Sequence, residues 1–242
     1  MTTTQHILDQ VRQALRSEPR IDLHAHPIAL DFADGTLTMD GEVADVAAKK
    51  LALEHAAALP AVTGIVDRLR VAPAERMGDS EVRVAVRDAL LQEPAFAELA
   101  LRELDSGEPK IIRDTPIDMS GWIEVAVADG VVTLNGQVPG LDGKRLAGLL
   151  AWWVPGSRDV INGLAVEPPE EDSDDAIAEA VRLALEKDPY VNAGQIRVGV
   201  RRSVVTLAGL VPTAIEREMA EFDAWYVFAV DRVVNTIEIG TM

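Results

Sequence analysis

The amino-acid sequence, 242 residues long, predicts an α+β fold built from three tandem copies of one module. Three observations support this prediction. A β-hairpin motif occurs three times, an apolar stripe at helical spacing precedes it each time, and a second helical segment and an alternating strand follow it. Two amphipathic helices can cover one face of a three-stranded sheet. Each copy is therefore predicted to be an αββαβ module with both helices on one face of its sheet.

The hairpin motif is the clearest part of the repeat. DGTLTMDGEV at 34–43 recurs as DGVVTLNGQV at 129–138 and as RSVVTLAGLV at 202–211. A run of alternating apolar residues precedes each segment, which is typical of a half-buried strand. Asp-Gly between two such runs predicts a tight turn, because glycine accepts the positive φ that the turn needs. The third copy has Arg202 and Ser203 there, so we expect its turn to differ or to be looser.

Helical segments flank each hairpin. Apolar residues recur at i, i+4, i+7 and i+8 from Ile7, Val82 and Ile177, which predicts a first helix with one apolar stripe. The second helices are predicted at about 45–59, 142–154 and 213–228. The closing strands are predicted at 65–71, 160–166 and 233–239.

The repeats divide the chain into predicted modules at 1–73, 78–168 and 172–242. The spacing of the repeats shows that the middle module carries an insertion at about 95–118, between its first helix and its first strand. We interpret this insertion as an extension of the first helix followed by a loop. Such an insertion either packs on a neighbouring module or serves as a functional or docking element.

The charge and cysteine content exclude several classes of function. The formal net charge is −17, so the chain as a whole is repelled by phosphate backbones, and we expect no nucleic-acid partner. The same charge disfavours adsorption to anionic lipid by charge alone. The chain has no cysteine, which excludes disulfides, thiolate catalysis and zinc–thiolate sites.

No targeting or membrane-spanning segment is predicted. Polar residues interrupt positions 1–20, so this segment lacks the unbroken apolar core of a signal peptide. No run approaches the roughly 18 apolar residues of a transmembrane helix. A cytoplasmic location is the resulting expectation.

The motif order resembles that of the BON domain family. The family pattern is Asp-Gly-x-Val-x-Leu-x-Gly-x-Val, then a helix, then Gly-x-x-x-Val-x-Asn-x-Leu-x-Val. Copy two carries it at Asp129, Gly130, Val132, Leu134, Gly136, Val138, Gly156, Val160, Asn162, Leu164 and Val166. Copy three lacks the turn glycine and has Ala229 at the later glycine, while copy one has Ala61 and Asp67 at the later glycine and asparagine. The resemblance implies the αββαβ fold and a bacterial envelope or stress-linked protein that binds phospholipid or other ligands without catalysis.

One segment resembles a metal site. Residues 21–27, IDLHAHP, resemble the Asp-x-His-x-His start of metal-dependent TIM-barrel hydrolases, and on a strand His24 and His26 would point the same way. That chemistry needs further ligands, and His6 and His55 are the only other histidines. We therefore predict a polar connection entering the first strand and no metal centre. A weak metal site at His24 and His26 is the alternative.

Aromatic pairs and repeated glycines are the other candidate features. Trp152 and Trp153 match Trp225 and Tyr226 in the second helices of copies two and three, where copy one has alanines. Adjacent helix residues lie about 100° apart, so one of each pair can enter the core while the other points to an edge. These four residues are the candidate ligand or partner surface, and packing within and between modules is the alternative. The glycines that end each hairpin are expected to serve backbone geometry or close packing: Gly41, Gly136 and Gly209.

The sequence therefore predicts a binding or scaffold protein without catalytic activity or cofactors. It is expected to associate with phospholipid at a membrane surface or with a protein partner. The alternative is a stress sensor that binds a small ligand or a cation in grooves between modules. No nucleophile motif such as Gly-x-Ser-x-Gly is present.

Overall fold

The computed structural model of the chain describes residues 3–105, 107–115 and 121–240. The chain divides into two compact units, one ending at Ala72 and the other beginning at Pro73. The first unit holds copy one, and the second holds copies two and three. Within the described residues the elements are helices and mixed sheets, which confirms the predicted α+β fold.

Copy one has the predicted order of elements. They are α1 (Thr3–Ser17), β1 (Ile28–Ala33), β2 (Thr36–Val43), α2 (Val46–Ala57) and β3 (Gly64–Val71). The sheet order is β1-β2-β3, with β1 antiparallel and β3 parallel to β2. Leu15 of α1 and Leu51 of α2 are buried, as are Leu37, Met39 and Leu69 of the sheet. The helices therefore cover one face of the sheet because the apolar positions of strands and helices are on facing sides.

Copies two and three repeat this order in the second unit. Copy two contains α3 (Asp79–Gln92), β4 (Ala100–Asp105), β5 (Glu108–Arg113), β6 (Trp122–Ala128), β7 (Val131–Val138), α4 (Leu141–Trp152), β8 (Asp159–Asn162) and β9 (Ala165–Val166). Copy three contains α5 (Asp174–Lys187), β10 (Ile196–Arg201), β11 (Val204–Val211), α6 (Ala214–Tyr226), β12 (Arg232–Asn235) and β13 (Glu238–Ile239). In both copies the hairpin strands are antiparallel, and the closing segment runs parallel to the second of them.

The insertion in copy two forms strands, so the predicted helix extension is wrong. Helix α3 ends at Gln92, a short 3-10 helix follows at Pro94–Phe96, and β4 and β5 then form a hairpin. Strand β4 pairs in parallel with β6, which widens the sheet to the order β5-β4-β6-β7-β8, with β9 also paired to β7. The physical reason is that Pro94 cannot continue the helix hydrogen bonding, while the edge of β6 offers backbone partners. Residues 106 and 116–118 of the predicted insertion lie outside the described residues.

The third hairpin turn does not differ from the others, so that expectation is also wrong. Arg202 and Ser203 have φ of 51° and 59°, close to the 53° and 73° of Asp129 and Gly130 in copy two. Asp174 of α5 accepts hydrogen bonds from the backbone N–H groups of Arg202 and Ser203 at 2.7 and 3.0 Å. These bonds, the Ser203 bond first, lower the pKa of Asp174. Asp79 of α3 accepts in the same way from Asp129 and Gly130 in copy two, so the carboxylate contact is present whether or not the turn contains a glycine.

The contact between the closing strand and the second helix differs in copy one. Asn162 of copy two donates through Nδ2 to Lys144 O of α4 at 2.7 Å, and Asn235 donates to Arg217 O of α6 at 3.0 Å. Copy one has Asp67 at this position, and an ionised carboxylate has no N–H to donate. Instead Lys49 of α2, 6% exposed, lies 3.0 Å from Asp67 Oδ2 through its Nζ. An ion pair replaces the amide hydrogen bond there.

Candidate functional site

Three of the four predicted aromatic residues lie where copies two and three pack together. Trp152 at the end of α4 stacks on Tyr226 at the end of α6, with ring centroids 5.7 Å apart and planes 21° apart. Trp153 Nε1 donates a hydrogen bond to Asp223 Oδ1 at 3.0 Å. Trp225 is 1% exposed and lies in the core, so it does not contribute to a surface. Trp152, Trp153 and Tyr226 are half-buried, so the contact between the copies takes up much of their surface.

Asp223 is a buried carboxyl at this contact that the sequence patterns did not identify. It is 3% exposed, and Asp188 nearby is 8% exposed. Burial, followed by the charge of Asp188, raises the pKa of Asp223 to about 8, while the hydrogen bond from Trp153 acts in the opposite direction. The available signal was its place beside the buried Ala220 and Ala224 on the apolar stripe of α6, where a charged residue is unexpected.

Two ion pairs also cross between the copies. Arg145 of α4 is 2% exposed and pairs through Nη2 with Asp172 Oδ1, in the segment that leads into copy three. Lys187 at the end of α5 pairs with Glu93, which follows α3, at 2.8 Å. Together with the aromatic contacts, these pairs explain why copies two and three form one compact unit.

The three repeated glycines occupy equivalent places in their hairpins. Each lies opposite an isoleucine at or next to the start of the partner strand: Gly41 opposite Ile28, Gly136 opposite Ile123, and Gly209 opposite Ile196. A Cβ on Gly41 would lie 2.7 Å from the carbonyl oxygen of Pro27. A Cβ on Gly136 would collide with the carbonyl oxygen of Trp122, and a Cβ on Gly209 would collide with that of Gln195. The geometry of these sites is therefore that of close backbone approach.

The two histidines of the metal-like segment lie in a turn. Asp22 Oδ1 accepts hydrogen bonds from the backbone N–H groups of His24 and Ala25 at 2.9 and 3.0 Å. These bonds, the Ala25 bond first, lower the pKa of Asp22. The same-side geometry expected for His24 and His26 on a strand therefore does not apply. Among the described residues, no three histidine, aspartate or glutamate side chains are grouped so as to hold a metal ion.

The sheet of copy three presents an arginine-bearing open face, on the side away from its helices. Register pairs Arg201 with Val204, and Val204 with Arg232, so two arginines flank one valine. Arg197 lies further along β10 on the same face, and all three arginines are exposed. The aliphatic residues of this face include Val234, 42% exposed, and Leu210, 55% exposed. Two acidic residues border it: Asp231 and Glu238.

This arginine-bearing face is particular to copy three. The positions equivalent to Arg197, Arg201 and Arg232 are Ala29, Ala33 and Gly64 in copy one. In copy two they are Glu124, Ala128 and Asp159. The sequence patterns did not identify the face, because the net charge of the chain does not show which charged residues share a surface. The available signal was Arg197 and Arg201, which lie four residues apart and therefore point to the same face of a strand. Locating Arg232 beside them requires the strand register.

No helix of the described residues is both long and apolar enough to cross a bilayer.

Curated sequences and two solved structures show little similarity to this chain at the level of sequence identity. A search of curated protein sequences found no significant match. Two solved structures of CdsD, a structural protein of the type III secretion system of Chlamydia trachomatis, are similar at low identity. One, of the C-terminal domain, has 14% identity, covers 97% of this chain and 98% of its own, and has a TM-score of 0.26. The other has 12% identity, covers 97% and 92%, and has a TM-score of 0.25.

The family model supports the resemblance predicted from the motifs. The model of the BON domain matches three segments, at residues 3–73, 110–168 and 173–241. These segments make up more than half of the chain, and each contains one hairpin motif with the helix and closing strand that follow it. The chain therefore belongs to the BON domain family, as three tandem copies.

Proposed function

We propose that this protein is a non-catalytic, membrane-surface-binding protein, and that the arginine-bearing face of copy three binds anionic phospholipid. The observation that carries the proposal is the arrangement of Arg197, Arg201 and Arg232 on one exposed sheet face. A guanidinium group donates to phosphate oxygens in a fixed fork geometry, which suits it to phospholipid headgroups. This face is the surface through which we propose that the membrane association expected from the sequence takes place.

The aliphatic residues of the face suit the same occupant. Val234 and Leu210 are both more than one-third exposed, and they lie among or beside the arginines. At a membrane, such side chains reach the headgroup and upper acyl region while the guanidinium groups stay with the phosphates. A flat sheet face can present all of them to one surface at the same time.

The strongly acidic net charge does not prevent this contact. Charges farther from the contact than about 10 Å are largely screened at an ionic strength of about 0.1 M. The charges on the contacting face therefore dominate, and this face carries three arginines in a chain of net charge −17. The protein would therefore approach an anionic bilayer with the arginine-bearing face.

Liposome co-sedimentation tests the proposal. At about 0.1 M salt we expect the protein to bind phosphatidylserine-containing vesicles and to bind pure phosphatidylcholine vesicles much more weakly. Each basic residue near an anionic surface contributes about 1 kcal/mol, so the variant R197Q/R201Q/R232Q should lose on the order of a hundredfold in affinity.

The variant R16Q/R68Q/R76Q is the matched control. It removes three exposed arginines outside the arginine-bearing face and changes the net charge by the same amount. We expect it to retain nearly all of the vesicle binding. The proposal fails if the unmodified protein stays in the supernatant with both kinds of vesicle, or if the two triple variants lose binding equally. Binding to an acidic protein but not to vesicles would assign the face to a protein partner instead.

A further inference from the structure

A groove lies between α4 of copy two and α5 of copy three, and the lipid-binding proposal does not involve it. Its volume is about 310 Å³, and Leu146, Leu149, Leu183 and Val227 form its apolar lining. Pockets for small molecules have volumes of roughly 300–1,000 Å³ and are mostly apolar, with a few polar groups that orient the ligand. The groove has the size of a small-molecule site and the apolar part of its lining.

Arg145 lines the groove, and one of its guanidinium nitrogens has no hydrogen-bond acceptor among the described residues. Its side chain is 2% exposed; Nη2 pairs with Asp172, and Nε donates to the carbonyl oxygen of Phe228 at 3.4 Å. The remaining nitrogen, Nη1, is buried and has no hydrogen-bond partner in the part of the chain that the structure describes. A buried donor without an acceptor is costly, so an acceptor bound at this nitrogen would stabilise the folded protein. A carboxylate is the acceptor that a guanidinium group binds best.

The rim of the groove has the opposite charge. Asp142, Glu179 and Glu186 line it together with Arg182, which pairs with Glu179 at 2.9 Å, so the acidic groups outnumber the one basic group there. These carboxylates repel a simple anion and attract a cationic group. A ligand that suits both the guanidinium group and the rim therefore carries a negative and a positive charge on one molecule.

We infer that the groove binds a small zwitterion with an apolar body, the chemical class of the apolar α-amino acids. The ligand carboxylate accepts from Arg145, its ammonium group lies against the acidic rim, and its side chain packs on the leucines. The argument is charge complementarity combined with the apolar lining. The groove lies on the helical side of the module, so this inference stands or fails independently of lipid binding by the open sheet face.

Isothermal titration calorimetry with three related probes tests the chemistry of the groove on the unmodified protein. L-Leucine carries both charges, 3-methylbutylamine lacks the carboxylate, and 4-methylpentanoate lacks the ammonium group. We expect L-leucine to bind and each of the other two to bind about tenfold or more weakly. Absence of heat and of any thermal stabilisation with about 10 mM L-leucine overturns the inference, because a ligand of the folded state must stabilise it. Equal binding of either analogue overturns the two-charge recognition.

Two substitutions locate the binding site. Leu183→Trp places a larger side chain in the groove and should abolish L-leucine binding. Glu186→Gln removes a rim charge, so it should weaken L-leucine binding and strengthen 4-methylpentanoate binding. Glu218→Gln is the matched control, because Glu218 is an exposed glutamate of α6 outside the groove. Unchanged L-leucine binding in a folded Leu183→Trp variant places the ligand elsewhere and overturns the inference. If that variant does not fold, the Glu186→Gln and Glu218→Gln pair gives the same decision.

Discussion

The indole Nε1 of Trp153 donates a hydrogen bond to Asp223 Oδ1 at 3.0 Å, which connects the end of α4 in copy two to α6 in copy three. Asp223 is 3% exposed, so this bond serves a carboxyl that is largely removed from water. The stacked rings of Trp152 and Tyr226 lie at the same contact. The aromatic residues that distinguish copies two and three from copy one thus join these two copies.

Loss of the indole donor should destabilise the second unit. Trp153→Phe keeps an aromatic ring but leaves Asp223 Oδ1 without its donor, and an unsatisfied buried polar group costs about 1–3 kcal/mol. Urea unfolding followed by far-ultraviolet circular dichroism measures the change. Trp122→Phe is the control, since the Trp122 ring is half-buried, as that of Trp153 is, and lies under the Arg102 guanidinium at 5.0 Å. Equal destabilisation by the two substitutions would show that the hydrogen bond contributes nothing specific.

Stability should fall with rising pH through the titration of Asp223. Its pKa is raised from 3.8 to about 8 in the folded protein, chiefly by burial. Between these pH values the folded state keeps a proton that the unfolded state has released, so the free energy of unfolding decreases by at most about 1.4 kcal/mol per pH unit. The contribution is fully present below pH 3.8 and is lost as the pH passes about 8.

The variant Asp223→Asn isolates this effect, because an amide does not titrate. Urea unfolding of both proteins at several pH values gives the difference in their free energies of unfolding, in which the other titrating groups largely cancel. We expect the unmodified protein to lose stability relative to Asp223→Asn as the pH rises towards 8. Parallel pH profiles would mean that Asp223 titrates at an ordinary pKa.

Two glycine substitutions in strands should have opposite effects. A Cβ on Gly136 would collide with the carbonyl oxygen of Trp122, and the φ of Gly136 is +131°. Gly136→Ala should therefore destabilise the protein by more than about 1 kcal/mol. No atom lies within 4 Å of the position that a Cβ on Gly199 would take, so Gly199→Ala should be neutral or stabilising. Thermal unfolding measures both, and a tolerated Gly136→Ala would contradict close backbone approach as the reason for this glycine.

The order of elements could be predicted because each copy carries local patterns that act over a few residues. The hairpin at 129–138 and the helical stripe from Val82 are readable without knowing any contact. The helix extension predicted for the insertion is wrong because Leu99, Leu101 and Leu104 fit a short helix and a strand about equally well. Pairing of β4 with the edge of β6 decided between them, and that pairing joins segments about twenty residues apart.

A candidate site could be predicted from the sequence when its residues lie close together along the chain or recur at equivalent positions of the copies. The aromatic pairs and the three glycines stand out as repeated residues at equivalent positions. The arginine-bearing face does not, because Arg201 and Arg232 become neighbours only through their separate pairing with Val204. The groove likewise requires the packing of α4 against α5, which belong to different copies.

The sequence by itself determined the three-copy architecture, since hydrophobic periodicity and turn chemistry are local properties that survive variation between copies. Only the tertiary structure decided how the third turn is held. Asp174 of α5 accepts from the backbone of the third turn just as Asp79 of α3 accepts from the second, and both contacts join segments that are far apart in the sequence. The tertiary structure also decided which charged residues act together, because an electrostatic interaction depends on distance in space and on burial. A chain of net charge −17 can therefore present an arginine-bearing face and hold Asp223 protonated near neutral pH.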